Sequence, residues 1–125
     1  MICGIGTDLV AVARIAAIHD KTRERFARKI LGPEELVRYQ ELAHPVPWLA
    51  KRWAAKEATA KALSHGIGRG LSMTHIQVLN HESGAPRLVL TDKALTLAQA
   101  MGATHWHISL SDEADYALAF VVLSA

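Results

Sequence analysis

The sequence predicts an α+β fold in which a mixed, mostly antiparallel sheet packs on a long central helix. The strand-like and helix-like segments follow the order strand, helices, two strands, helix, two strands, which favours α+β architecture over a doubly wound parallel sheet. Short turn-like segments separate both pairs of consecutive strands, which indicates two hairpins. Residues 48–65 are rich in alanine and lack glycine and proline, as expected of a helix packed on several sides.

The first part of the chain reads as a strand followed by helices. Residues 2–10 have strand-like composition, and Gly4 and Gly6 at alternate positions indicate that another element packs closely on this backbone. Spaced apolar residues then predict helical structure from residue 12 to about residue 30, with a break near residues 20–22.

Prolines and glycines delimit the next two helices. Gly32-Pro33 opens a helix that runs to about residue 42, because proline suits the first helical turn. Two prolines predict an irregular segment over residues 44–47. The longest helix then covers residues 48–65 and ends at Gly66.

The second part of the chain alternates strands and one helix. Its predicted elements are a strand at 71–80, a turn at 82–84, a strand at 87–90, a helix at 92–101, a strand at 105–110, a turn at 111–115 and a strand at 116–123. The chain has no internal repeat, low-complexity tract or linker, so we expect a single domain over residues 1–125.

The composition excludes several classes of protein. At 125 residues, half of them apolar, the chain can bury one core. Its 14 lysines and arginines nearly balance 12 aspartates and glutamates, which argues against a dedicated nucleic-acid coat. The single cysteine, Cys3, excludes an internal disulfide and fits a reducing compartment. Because the start lacks a secretory pattern and no apolar run could span a bilayer, we expect a cytoplasmic protein.

Charged residues on the long helix are the first candidates for a functional site. At about 100° per residue, Arg52 and Lys56 fall on its apolar face, where buried cations need partners. Glu57 lies at the edge of that face, with Lys61 one turn further on. Helix geometry alone favours an ordinary surface pair between Glu57 and Lys61, worth about a few tenths of a kcal/mol.

Asp8, which follows the glycines of the first strand, is the second candidate. Taken alone, it fits a simple cap for the helix that begins nearby. Two carboxylates from different elements, however, are what a Mg²⁺ site requires, because this cation takes one or two protein carboxylates and fills its octahedron with water and phosphate oxygens. The spacing does not establish that Asp8 meets Glu57.

Other chemistry-bearing residues give weaker signals. The glycine loop at residues 66–70 follows a helix instead of opening one, so it indicates a cap and turn more than a phosphate loop. His105 and His107 share one face of a strand but lack a third metal ligand at a telling spacing.

A cationic segment near the N-terminus is the last feature of interest. Its six charges are Arg14, Lys21, Arg23, Arg25, Arg28 and Lys29. Such a run is usually a solvated face, but with interspersed apolar residues such as Phe26 it also suits an acidic helical partner. A nucleic-acid surface remains an alternative, although it lacks further interleaved aromatic residues.

Together these segments resemble the holo-acyl-carrier-protein synthase family of phosphopantetheinyl transferases. Residues 4–10 (GIGTDLV) resemble its first motif, and residues 52–62 (RWAAKEATAKA) resemble its central motif, in which an aromatic residue precedes K-E-A-x-x-K. Residues 66–68 (GIG), 84–87 (GAPR) and 107–111 (HISLS) also match, so that the likeness runs nearly end to end.

This resemblance implies specific roles for individual residues. The implied catalytic residues are Asp8, Glu57 and Lys61, of which Asp8 and Glu57 would be the Mg²⁺ ligands. The implied coenzyme A contacts are Arg52, Lys56, Lys61, Ser64, Gly66 and Pro86. The implied carrier-protein contacts are Arg14, Lys21, Arg25 and Phe26.

The resemblance also implies a reaction and an assembly. A homotrimer with active sites between subunits would move 4′-phosphopantetheine from coenzyme A to a serine of apo-acyl-carrier protein, in support of fatty acid biosynthesis. One departure concerns Asp112, where many members carry histidine, so that a cationic contact to the 3′-phosphate from this position is in doubt. A carrier-binding scaffold without chemistry and a small nucleic-acid-binding domain are the alternatives from other classes.

Overall fold

The computed structural model describes residues 1–125. The elements, in chain order, are β1 Ile2–Ala11, α1 Val12–Thr22, α2 Glu24–Ile30, α3 Pro33–Gln40, α4 Val46–Ala62, a 3₁₀ turn Met73–His75, β2 Ile76–Asn80, β3 Pro86–Leu90, α5 Asp92–Ala100, β4 His105–Glu113 and β5 Tyr116–Ser124. This element order confirms the predicted α+β class. No helix of the chain is both long enough and apolar enough to cross a membrane.

The strands form two separate antiparallel sheets. One has the order β1-β5-β4, so that the first and last strands of the chain pair with each other, and the other is the hairpin β2-β3. The prediction of one mixed sheet is therefore wrong. All neighbouring strands pair antiparallel, including β1 and β5, which the only long connection between neighbouring strands joins.

Close contact between β1 and α4 gives the fold its centre. A Cβ atom on Gly6 would collide with the carbonyl oxygen of Ala58, and one on Gly4 would collide with that of Ala62. Only glycine lets the helix backbone approach this strand so closely. Ala117 and Ala119 of β5, both buried, share the same side of the sheet. The helix is thereby fixed directly over the strand that carries Asp8.

Several element boundaries differ from the predictions. The helix α4 starts at Val46, with Pro47 in its first turn, where a missing N–H costs nothing. The predicted strand at 71–80 is regular only from Ile76, since the 3₁₀ turn precedes it. The hairpin turn predicted over residues 111–115 is shorter, because Asp112 and Glu113 already pair with β5.

The outer face of the three-stranded sheet is apolar and exposed. Its large side chains are Ile5, Leu9, Tyr116, Leu118 and Phe120, each between 41 and 62 % exposed. Alternation along the strands places them opposite the face that packs on α4. Large exposed apolar patches mark interaction surfaces in soluble proteins.

Candidate active site

Asp8 lies on the face of β1 that is directed at α4, two residues after Gly6. Its side chain is 16 % exposed, and its Oδ1 accepts a hydrogen bond from the Lys61 Nζ at 3.2 Å. The same ammonium donates to the Thr7 carbonyl oxygen at 2.8 Å. Asp8 is not a helix cap, because α1 begins only after Ala11 and has no side-chain cap.

Glu57 is half-buried on α4, in the same region. Burial raises the pKa of the Glu57 carboxyl, and the negative charge of Asp8 raises it further, while Lys61 and Arg14 act in the opposite direction. The two carboxylates therefore lie within electrostatic range of each other. Lys61 forms its ion pair with Asp8 and not with Glu57, so the interpretation of an ordinary surface pair along the helix is wrong.

This pair of acids fits a hard divalent cation. Two carboxylates that repel each other offer oxygen ligands and gain when a cation lies between them. No group of three or more histidine, cysteine or acidic side chains that could hold a metal ion lies anywhere in the chain, so Asp8 and Glu57 would act as a pair of ligands. Two protein carboxylates leave room for water and phosphate oxygens, as Mg²⁺ requires.

A cleft of about 500 Å³ opens beside Glu57. Trp53 and Glu57 of α4 contribute one wall, Phe26 and Ile30 of α2 another, and the backbone segment 67–73 contributes the third. Most lining residues are apolar, with Glu57 and Lys29 as the charged exceptions. The cleft can therefore hold a partly apolar ligand beside Glu57.

The cationic helices α1 and α2 border this cleft. Arg14 lies over the Trp53 ring, 5.3 Å from its centroid, and it is exposed together with Lys21 and Arg25. Phe26 is only 6 % exposed and packs on Trp53, with ring centroids 5.9 Å apart. Phe26 therefore belongs to the cleft wall, and its contact with the carrier protein stays a prediction.

Lys56 and Arg52 are committed to internal partners. Lys56 is fully buried, and its ammonium donates to Glu35 and to two backbone carbonyls. Burial lowers the pKa of Lys56, and Glu35 opposes that shift. Arg52 is 5 % exposed, lies over the Trp48 ring and donates to the Val78 carbonyl. The Lys56 ammonium therefore has no donor left for coenzyme A. Arg52 keeps its Nε without a hydrogen-bond partner, so its contact with coenzyme A stays a prediction.

The remaining predicted coenzyme A contacts, Ser64, Gly66 and Pro86, lie in two different regions of the surface. Ser64 and Gly66 are exposed in the turn after α4, where both have positive φ. Ile67 and Gly68 of the same turn line the cleft. Pro86 lines a separate cleft of about 530 Å³, which lies between β3 and β4.

The weaker candidates have ordinary structural partners. His107 shares a hydrogen bond of 3.0 Å with the Ser124 hydroxyl, and His105 shares one of 2.9 Å with Thr104. Asp112 lies 3.9 Å from the Lys51 ammonium, so its charge is partly balanced within the chain.

Sequence reasoning missed Glu35 and the cleft wall at Met73. Glu35 lies in the first turn of α3, and its side chain is buried in the core. The signal that could have found it is Lys56, since a lysine on an apolar helix face requires a buried acid. Met73 gave no signal, because its place in the wall depends on the 3₁₀ turn.

Comparison with known proteins gives one consistent result. The model of the 4′-phosphopantetheinyl transferase superfamily matches residues 4–121. A holo-[acyl-carrier-protein] synthase of Hydrogenovibrio crunogenus is 49 % identical over 122 residues, which cover 98 % of this chain and 96 % of that protein.

Solved structures give the same result. The crystal structure of holo-[acyl-carrier-protein] synthase from Neisseria meningitidis superposes with a TM-score of 0.91 at 41 % identity, and the match covers 100 % of both chains. The enzyme from Bacillus anthracis, solved in complex with CoA (3′,5′-ADP), superposes with a TM-score of 0.83 at 34 % identity, covering 100 % of this chain and 99 % of that one.

Proposed function

We propose, from the premise that this chain belongs to the 4′-phosphopantetheinyl transferase superfamily, that it moves 4′-phosphopantetheine from coenzyme A to a serine of apo-acyl-carrier protein. The chain is a transferase of the holo-[acyl-carrier-protein] synthase type. The single observation that carries the proposal is the ion pair of Asp8 and Lys61 within electrostatic range of Glu57, which lines a largely apolar cleft.

In this proposal Asp8 and Glu57 hold Mg²⁺. The bound ion supplies positive charge to the pyrophosphate of coenzyme A and to the leaving oxygen. The support from this chain is that the two acids lie within electrostatic range: burial raises the pKa of Glu57, and the charge of Asp8 raises it further. The two carboxylates also orient the pyrophosphate by fixing where that charge can lie.

Lys61 is the residue we assign to the phosphate under attack. Its side chain is 55 % exposed, so the ammonium can leave Asp8 and donate to a phosphate oxygen without loss of packing. The carrier serine oxygen forms a bond to the β-phosphorus as the bond to the bridging oxygen breaks, and 3′,5′-ADP leaves. The serine proton passes to Glu57 or to an adjacent water. Charge spreads over the phosphoryl oxygens, so positioning and electrostatics do most of the catalysis.

The cleft and the cationic helices that border it bind different substrates in this proposal. We assign the cleft of about 500 Å³ to the phosphopantetheine arm, because its walls are apolar and Glu57 lies among them. We assign the exposed cations Arg14, Lys21 and Arg25 to the carrier protein. Such charges accelerate encounter with an acidic partner and fix its orientation.

The assembly we propose is a homotrimer with active sites between subunits. The apolar outer face of the three-stranded sheet supports it, since Ile5, Leu118 and Phe120 would be covered there. Lys61 borders this face, because it lines a depression together with Ile5 and Phe120, and its ammonium pairs with Asp8. A neighbouring subunit on the face would therefore adjoin the active site. We further place the enzyme in the cytoplasm, in fatty acid biosynthesis.

One assay tests the proposed reaction. The protein is incubated with coenzyme A, Mg²⁺ and an apo-acyl-carrier protein, and the carrier is weighed intact by mass spectrometry. We expect a carrier heavier by one phosphopantetheine group, and no change when its acceptor serine is replaced by alanine. An unmodified carrier after long incubation would contradict the proposal and favour a binding module without chemistry.

A further inference from the structure

The ammonium of Lys56 is the most enclosed charge in the protein. The residue has no exposed surface, and its Nζ donates to Glu35 Oε1 at 2.7 Å, to the Met73 carbonyl at 3.0 Å and to the Ile76 carbonyl. An ammonium has three donors, and all three are used. Lys56 therefore cannot also bind a phosphate.

The Glu35 carboxylate accepts hydrogen bonds from three elements of the fold. Besides Lys56, its Oε1 accepts from the Gly32 backbone N–H at 3.0 Å, and its Oε2 accepts from the Val78 N–H at 3.0 Å. The neighbouring Gln77 Oε1 accepts from the Glu34 N–H at 3.0 Å. The start of α3, the middle of α4 and the strand β2 are thus joined through one carboxylate.

This junction connects two walls of the cleft. Lys56 immediately precedes Glu57 on α4, so its fixed side chain also fixes the rotation of α4 and hence the direction of Glu57. On the opposite side, its bond to the Met73 carbonyl holds a segment whose residues Leu71, Ser72 and Met73 line the cleft. Lys56 thus bonds α4 directly to the segment that forms the facing wall.

Stability alone does not account for such a pair. Removing two charges from water costs about as much as their attraction returns, and well-packed apolar residues often serve the fold equally well. What the charged pair adds is geometry, since each of its hydrogen bonds has a preferred length and direction.

We propose that Lys56 and Glu35 are positioning residues that set the width of the coenzyme A cleft and the orientation of Glu57. This inference rests on the proposed function, and it replaces a phosphate-binding role for Lys56 with a role inside the protein. Neither side chain touches substrate. Both act through the backbone of segment 71–76 and through α4.

The test compares a variant that removes both charges with a control that destabilises the core elsewhere. Lys56→Met alone would leave a buried carboxylate unpaired, so the primary variant is Lys56→Met with Glu35→Gln, and Glu35→Gln alone is the milder second variant. The control is Leu123→Ala, which removes a fully buried side chain of β5 that does not line the cleft. The melting temperatures of the variants and of the control are measured first, so that they can be compared at an equal loss of stability.

Three measurements separate positioning from stability. For the double variant we expect the KM and the calorimetric Kd for coenzyme A to rise roughly tenfold and kcat to fall roughly tenfold, because the width of the cleft and the orientation of Glu57 both change. We expect backbone hydrogen exchange at Leu71, His75 and Ile76 to accelerate roughly tenfold. Leu123→Ala, at an equal loss of melting temperature, should change none of these.

The inference is overturned if the double variant keeps the wild-type Kd and exchange rates, or if Leu123→Ala raises the KM equally. The same criteria apply to Glu35→Gln should the double variant not fold. Failure of the proposed function can be distinguished from failure of this inference. A wild-type protein that neither binds coenzyme A nor modifies a carrier refutes the proposed function. The exchange experiment still reports whether the pair holds the 71–76 segment.

Discussion

The Lys61 ammonium lies 3.2 Å from Asp8 Oδ1, and this contact joins the last turn of α4 to the first strand. It leaves Glu57 as the carboxylate of the site without an ion-pair partner. Within the chain, Asp8 therefore has an ion-pair partner and Glu57 has none. This imbalance underlies the predictions for the active site.

Lys61 should act on the rate of transfer more than on substrate affinity. We expect Lys61→Ala to lower kcat about a hundredfold or more, because a donor to developing phosphoryl charge is lost. Lys61→Arg, which keeps the charge, should recover part of that loss. Steady-state kinetics with the exposed Arg38→Ala as the control checks this, and an unchanged kcat in Lys61→Ala would refute the assignment.

Glu57 should destabilise the metal-free protein at neutral pH. Its pKa in the folded state is raised, so the folded state favours the protonated form, and stability present at acid pH is lost as the pH rises through the folded-state pKa. Glu57→Gln removes this loss. Without divalent cations, we expect the variant to melt about 1–2 °C above wild type at pH 8 and level with it near pH 4.

Scanning calorimetry at both pH values checks this expectation, and Glu82→Gln in the exposed β2-β3 turn serves as the control. A variant that is less stable than wild type by the same amount at both pH values would show that the Glu57 charge carries no penalty.

The buried pair should show strong thermodynamic coupling. Lys56→Met alone should lower the free energy of unfolding by about 3–5 kcal/mol, because it leaves the Glu35 carboxylate unpaired in the core. The double variant with Glu35→Gln should lose less than the sum of the two single changes. Urea unfolding of all four proteins measures the coupling, and simple additivity would show that the two side chains do not depend on each other.

The cationic helices should govern the carrier protein and not coenzyme A. Reversing two exposed charges, in Lys21→Glu with Arg25→Glu, should raise the KM for the carrier roughly tenfold and leave the KM for coenzyme A unchanged. Added salt should weaken the carrier affinity of wild type more than that of the variant. Arg38→Glu on α3, which reverses one charge outside this surface, is the control, and an equal effect per reversed charge would rule out a specific docking surface.

The fold class was predictable because it depends on local patterns, whereas the roles of the two acids were implied by the family resemblance and stay a proposal. The glycines at 4 and 6 indicated close backbone packing, and the Ala58 and Ala62 carbonyls now account for them. Helix periodicity placed Lys56 on a buried face. Both inferences needed only residue spacing.

What the sequence could not predict depends on contacts between distant segments. The partner of Lys56 lies 21 residues earlier, on α3, and no spacing rule connects the two. Phe26 lies in a charged run that suits an acidic helical partner, yet its packing against Trp53 buries it. The separation of β2-β3 from the main sheet likewise results from how the chain packs as a whole.

The most direct test of the account is divalent-cation binding by wild type, Asp8→Asn and Glu57→Gln in the presence of coenzyme A. Mn²⁺ serves as the probe, followed by electron paramagnetic resonance, and turnover is titrated with Mg²⁺ in parallel. We predict one bound ion per chain in wild type, and in both variants a loss of binding and of turnover of about a hundredfold or more, with an unchanged circular dichroism spectrum. Wild-type affinity and near-normal activity in Glu57→Gln would contradict it.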